Sequence, residues 1–228
     1  MLTINNLSVS YDKNKVLEDL KIEFQPGMIH GLVGLNGAGK TSFLNCLYGY
    51  ITRDSGAIQF MGAELKRKDM AYLETENYFY SNITGREYLS LFNSPASNFE
   101  LDDWNAIFKL PLGQLIDSYS TGMKKKLALL AMLKQDRKIM ILDEPFNGLD
   151  IESSKILSMI LLRLKDKGRT IIVTSHILES LTSICDFIHY LNQKIICFSR
   201  DKEHFENLEQ EIFREMKEEH SQLLDKVL

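Results

Sequence analysis

An apolar run from Met28 to Val33 leads into Gly34-Leu35-Asn36-Gly37-Ala38-Gly39-Lys40-Thr41. A segment from Lys40 to about Tyr48 follows, with Phe43, Leu44 and Leu47 spaced for one helix face. Nothing else in the chain constrains the fold as strongly. Glycine, four residues, glycine, lysine and threonine, set between a buried strand and a helix, form a phosphate-binding loop. Glycines let backbone N–H groups curl around phosphate oxygens, and the helix aims its positive end at the anion. In such a loop Lys40 reaches the β- and γ-phosphates. Thr41 offers a hydroxyl to Mg²⁺, and Ser42 follows in the first helical turn. By average residue usage the bare pattern arises by chance in about one chain in a hundred of this length. The flanking strand and helix therefore carry much of the reading.

A second buried strand, Ile139 to Leu142, ends in Asp143-Glu144. In an open α/β sheet the strand's C-terminal edge faces the ligand crevice, near the phosphate loop. An acid at Asp143 can hold Mg²⁺ directly or through water. Glu144 can activate a water for attack on the γ-phosphate. Without the phosphate loop upstream, the pair would read equally well as a solvated acidic turn.

The rest of the chain sets this pair in an organised frame. Residues 2–10 and 16–25 are β-rich around Asp12-Lys13-Asn14 and read as an antiparallel pair. Strand-like segments return over 57–73, broken at Met61-Gly62. Thr84-Gly85-Arg86-Glu87 is a capping box that starts a helix. Further helices are expected over 102–109, stopping at Pro111, and over 121–134. Downstream come a strand at 139–142, a helix at 151–164, a strand at 170–173 and a helix at 177–184. A hairpin turning at Asn192-Gln193 and a charged helix from about Asp201 complete the chain. Such alternation implies a parallel, doubly wound sheet. Residues 1–228 read as one domain, with a helical insert at about 76–135 and a helical tail over about 200–228.

Taken together, the motifs resemble the nucleotide-binding domain of ATP-binding-cassette (ABC) proteins, over about residues 2–198. The resemblance implies an α/β P-loop NTPase with a RecA-like parallel core sheet. An N-terminal antiparallel β subdomain and an inserted α-helical subdomain accompany that core. Tyr119-Ser120-Thr121-Gly122-Met123 resembles the family's signature motif, with Thr121 and Met123 as departures. It implies that Ser120 and Gly122 touch the γ-phosphate of ATP held by another protomer. Asn147-Gly148-Leu149-Asp150 resembles the D-loop, although a turn and helix cap at Asp150 would look the same. Thr174-Ser175-His176 resembles the switch histidine, which makes His176 catalytic beside Glu144. Tyr11 resembles the aromatic that stacks on adenine. Where the family carries a glutamine, this chain has Thr75 between Glu74 and Glu76, a weaker candidate for the metal. Tyr78-Phe79-Tyr80 falls where the family meets its membrane subunit. Docking is the favoured reading of these rings and core packing the rival.

The implied ligands are ATP and Mg²⁺. The implied partners are a second nucleotide-binding subunit, paired head-to-tail, and a separate integral membrane permease. The implied place is the cytoplasmic face of the cell membrane, reached through the permease; no segment of this chain approaches the about 20 apolar residues that span a bilayer. The Tyr-Ser-Thr-Gly-Met variant and Thr-Gly-Arg-Glu-Tyr-Leu look most like bacterial export systems. A soluble ABC-type ATPase is the alternative. A GTPase would need an Asn-Lys-x-Asp motif, which the chain lacks.

Composition adds exclusions. A net charge of −4 argues against non-specific nucleic-acid binding. Lys124, Lys125 and Lys126 form the tightest basic run and read as a solvated helix face. Cys46, Cys185 and Cys197 lie far apart and match no metal-ligand spacing, which suits reduced thiols.

Overall fold

A computed structural model describes residues 1–93, 99–215 and 217. Strands β1 (Leu2–Tyr11) and β2 (Asn14–Phe24) form the expected antiparallel hairpin. Strand β3 (Ile29–Val33) leads into helix α1 (Lys40–Tyr48). Strands β4 (Ser55–Phe60) and β5 (Ala63–Glu64) extend the hairpin into an antiparallel sheet of order β2-β1-β4-β5. Strand β6 (Met70–Leu73) returns to the second sheet.

Helices α2 (Gly85–Ser90), α3 (Leu101–Phe108) and α4 (Thr121–Lys134) fill the stretch between β6 and β7 (Ile139–Leu142). At the head of α2 the capping box closes: Glu87 N–H donates to Thr84 Oγ1, and Thr84 N–H donates to Glu87 Oε2 at 2.7 Å. The chain then runs through α5 (Ile151–Asp166), β8 (Thr170–Thr174), α6 (Leu178–Thr182), β9 (Phe187–Asn192) and β10 (Ile195–Asp201).

The second sheet has the order β10-β9-β3-β8-β7-β6, parallel except for its edge strand β10. Its central strands are apolar at nearly every position because both faces are covered. Met140 and Leu142 face one core with Val173, Leu127, Leu130 and Leu161. Ile139, Ile141 and Ile172 face the other, with Phe43, Leu44 and the antiparallel sheet.

Three expectations need correction. The β9–β10 turn sits at Gln193-Lys194, both at positive φ (45° and 73°), rather than at Asn192-Gln193. Two positive-φ central residues match the right-handed twist of the flanking strands. The tail opens with a 3-10 segment, Lys202–Asn207, rather than an α-helix from Asp201, and is α-helical over 208–215 and at 217. The remainder of the expected tail, but for residue 217, lies outside the described residues. The Lys124–Lys126 run is not a solvated face: Lys125 is 6% exposed, and Lys126 lies 3.8 Å from Asp150.

Beneath β3 a buried polar chain crosses the sheet. His30 Nε2 meets the Gln25 carbonyl at 3.1 Å, His30 Nδ1 meets His189 Nε2 at 3.0 Å, and His189 Nδ1 meets Ser199 Oγ at 2.7 Å. A carbonyl only accepts, so His30 carries its proton on Nε2. Its Nδ1 must then accept from His189 Nε2–H, and His189 Nδ1 accepts from the Ser199 hydroxyl. Both rings are neutral in this arrangement. Burial pushes the His30 pKa down to about 4 and that of His189 to about 3.

Candidate functional site

Because β3, β8 and β7 are parallel neighbours, their C-terminal ends share one edge. Strand β8 lies between the strand that carries the phosphate loop and the strand that carries the acids. Its last residue, Thr174, is therefore placed to touch both.

The phosphate loop turns sharply at two glycines, Gly37 (φ 82°) and Gly39 (φ 104°). Gly34 is needed for a different reason: a Cβ there would stand 2.3 Å from the Leu191 carbonyl oxygen. Ala38 N–H donates back to the Leu35 carbonyl at 3.1 Å, which closes the loop, while Asn36 is exposed. Lys40 is 8% exposed, and its ammonium donates to the Gly34 and Leu35 carbonyls at 2.7 and 3.1 Å. Burial lowers its pKa, against the pull of Glu144 and Asp143. Ser42 lies half-buried in the first turn of α1. The β1–β2 hairpin packs on this loop, since a Cβ on Gly39 would meet the Val16 carbonyl at 3.1 Å. Tyr11, at the end of β1, is 45% exposed on that hairpin.

Asp143 is 1% exposed and gathers the site. One carboxylate oxygen accepts from Thr41 Oγ1 at 2.9 Å and the other from Thr174 Oγ1 at 2.7 Å. Thr174 Oγ1 in turn accepts from Glu144 N–H at 2.8 Å. Glu144 stands at φ 47°, a left-handed conformation that costs about 1–2 kcal/mol for a residue with a Cβ. Its carboxylate holds that pose by accepting from His176 Nδ1 at 3.0 Å and from His176 N–H at 3.3 Å. Strain of this kind persists where the surroundings over-determine it, as functional sites do. Thr174 was legible in the sequence only as a neighbour of His176. Its bridging role has no local signal.

The residues fit a divalent cation of the Mg²⁺ type. That ion takes one or two protein oxygens beside phosphates and water, and the Thr41 hydroxyl and Asp143 carboxylate already sit together. Among the described residues no cluster of three or more His, Cys, Asp or Glu could hold a metal by itself. Thr75 is exposed, and no hydrogen bond among the described residues joins its hydroxyl to Thr41 or Asp143. Its carbonyl instead accepts from Lys125 at 3.3 Å.

Ser120 and Asp150 are helix caps. Ser120 Oγ accepts from Met123 N–H at the head of α4, and Asp150 accepts from Ser153 N–H at 2.7 Å at the head of α5. These Ser153 bonds hold the Asp150 carboxyl below its ordinary pKa. Gly122 lets α4 approach the 147–150 turn, with a would-be Cβ 3.1 Å from the Gly148 carbonyl. No hydrogen bond among the described residues ties Ser120, Gly122 or Asp150 to this chain's own phosphate loop. Tyr78 and Tyr80 are exposed (76% and 53%), whereas Phe79 turns inward against Tyr88 with ring centres 5.0 Å apart.

Known proteins resemble this chain in sequence and fold. The profile of the ABC transporter family matches residues 17–147. The lantibiotic transport ATP-binding protein SrtF of Streptococcus pyogenes is 31% identical over 217 residues, covering 92% of this chain and 95% of that one. The ABC transporter ATP-binding protein YtrB of Bacillus subtilis (strain 168) is 30% identical over 200 residues, covering 84% of this chain and 68% of its own. A solved ATP-binding subunit of an ABC transporter superposes with a TM-score of 0.82 at 26% identity, covering 93% and 94% of the two chains. With the profile spanning more than half of its length and SrtF matched along nearly all of both proteins, the chain belongs to the ABC transporter family, as one of its ATP-binding ATPase chains.

Proposed function

We propose that this chain hydrolyses ATP as one half of a head-to-tail pair and thereby drives export through a separate membrane-spanning permease. The observation that carries the reading is the Asp143 carboxylate, shared between Thr41 of the phosphate loop and Thr174, with Glu144 locked beside it by His176.

ATP enters with its phosphates over the loop. The Lys40 ammonium leaves the Gly34 and Leu35 carbonyls for the β- and γ-phosphate oxygens, and the N–H groups at the head of α1 face the same anion. Tyr11 offers a ring face to adenine. Thr41 and Asp143 would hold Mg²⁺, which when bound neutralises charge on the β- and γ-oxygens. Glu144 takes a proton from the attacking water as its oxygen bonds to the γ-phosphorus, while the bond to the bridging β–γ oxygen breaks and ADP leaves. His176 fixes the Glu144 carboxylate and leaves its Nε2 free to face the γ-phosphate.

Ser120, Gly122 and Asp150 serve the partner's nucleotide. No hydrogen bond among the described residues ties them to this chain's own loop, which supports that assignment, and helix N-termini suit anions. Tyr78 and Tyr80 are the exposed anchors for a membrane subunit, as amphipathic aromatic rings at an interface are. Among the described residues no helix is long and apolar enough to cross a membrane. SrtF is named for lantibiotic transport, which supports a role in transport; export of a peptide-like or lipid-like cargo is the proposed direction.

Affinity purification of the tagged chain from detergent-solubilised membranes of its host tests the reading. A stoichiometric polytopic membrane protein is expected to come with it. Recovery from the soluble fraction alone, with or without ATP, would favour a soluble ATPase.

A further inference from the structure

Lys125 occupies the second turn of α4 and is 6% exposed. Its ammonium donates to the Glu74 and Thr75 carbonyls, at 3.3 Å each. Those carbonyls follow directly on β6, at the point where the Asp143 N–H donates to the Leu73 carbonyl at 2.8 Å. Among the described residues no carboxylate makes an ion pair with Lys125. The charges of Asp143 and Glu144 favour its protonated form while burial opposes it.

A buried ammonium without a paired carboxylate is expensive. An apolar residue would serve the core better at this position. What the ammonium supplies is attachment. The head of α4 carries Ser120 as its cap and Gly122 against the 147–150 turn. Through Lys125 that head is fastened to the backbone beside the acids.

We propose that Lys125 is a positioning residue for ATP hydrolysis, tying the Ser120 loop to the 74–75 backbone next to Asp143 and Glu144. In a head-to-tail pair the Ser120 loop acts on the partner's nucleotide and the acids act on their own. The fastening therefore holds the two sites of one chain at a fixed spacing. Ground-state ATP binding does not need it, because the phosphate loop and the Tyr11 hairpin lie on other elements. The inference rests on the reading of Glu144 as the residue that activates water.

The test compares full-length wild type, Lys125→Met and Lys125→Arg, at concentrations where the wild type turns over. Methionine keeps an unbranched side chain out to the ε position and removes the donors. Arginine keeps donors and charge, and the adjoining cleft of about 440 Å³, lined by Thr75, Thr121, Asn147 and Lys125 itself, has room for it. Lys125→Met is expected to lower kcat by about 10- to 100-fold, the scale of a slight misplacement of reacting groups. Its equilibrium affinity for ATP should stay within about twofold, and Lys125→Arg should recover most of the turnover. Wild-type kcat in Lys125→Met would overturn the inference. So would a parallel loss of kcat and ATP affinity, an arginine variant no better than methionine, or a methionine variant that fails to fold. Glu144→Gln is assayed alongside. If it still turns over, the carboxylate reading fails, while the Lys125 comparison continues to report on the fastening.

Discussion

Acid should unfold this protein through two histidines that the hydrolytic chemistry does not use. His30 and His189 are neutral in the fold, with pKa values pushed down to about 4 and about 3 from 6.5. Desolvation dominates both. For His30 the Gln25 carbonyl and the charge of Asp186 pull the other way, and for His189 the neighbouring His30 adds to the depression. A base with a depressed folded-state pKa contributes stability that is present above its unfolded pKa and lost as pH falls below it. The unfolded chain binds a proton at each histidine near 6.5, whereas the folded chain binds none until about pH 4. Each histidine then loses about 1.4 kcal/mol per pH unit, or about 4 kcal/mol for the pair between pH 6.5 and 5. Against a typical total of about 5–15 kcal/mol this is a large share, equivalent to roughly 10 °C in Tm for a chain of this size. His30 lies in β3, which delivers the phosphate loop, so ATP binding should fade with the fold. Urea unfolding from pH 8 to pH 5 measures the slope in wild type and in the double variant His30→Gln/His189→Gln. Carboxylates contribute a background slope to both proteins, and the difference isolates the histidines. Equal slopes in the two proteins would refute the argument.

Three further outcomes follow from the site. Glu144→Gln should retain ATP binding yet lose about 10²- to 10⁴-fold in turnover, the range for a missing general base, with ATP-bound dimers accumulating in size-exclusion chromatography. Near wild-type turnover would remove Glu144 from that role. Thr174→Val keeps the side-chain shape but strips a donor from buried Asp143 and an acceptor from the Glu144 N–H. It should lower unfolding free energy by about 1–3 kcal/mol and reduce kcat, and an unchanged denaturation midpoint would count against the bridge. Gly34→Ala forces a methyl to within 2.3 Å of the Leu191 carbonyl, so the loop must shift and ATP affinity should fall steeply. Equilibrium titration with a fluorescent ATP analogue reads this directly, and wild-type affinity would mean that β9 yields easily.

Local patterns made much of this protein legible in the sequence. The phosphate loop at 34–41, the acids after β7, the Thr84–Glu87 capping box and the alternation of strands and helices each depend on neighbours a few residues apart. Glycine geometry, capping and hydrophobic period are short-range properties, and they survive without knowledge of what packs where. Sheet order decided the rest. Only when β8 is inserted between β3 and β7 does Thr174 come to bridge Thr41's partner Asp143 and the backbone of Glu144. Only the pairing of β3 with β9 joins His30 to His189, which lie far apart in the chain. The Lys124–Lys126 run shows the same limit from the other side. A lysine triplet reads as a wet face because charge is usually solvated, yet the docking of α4 against the end of β6 buries the middle one. A buried charge is set by contacts between remote segments, and those exist only once the layers have packed.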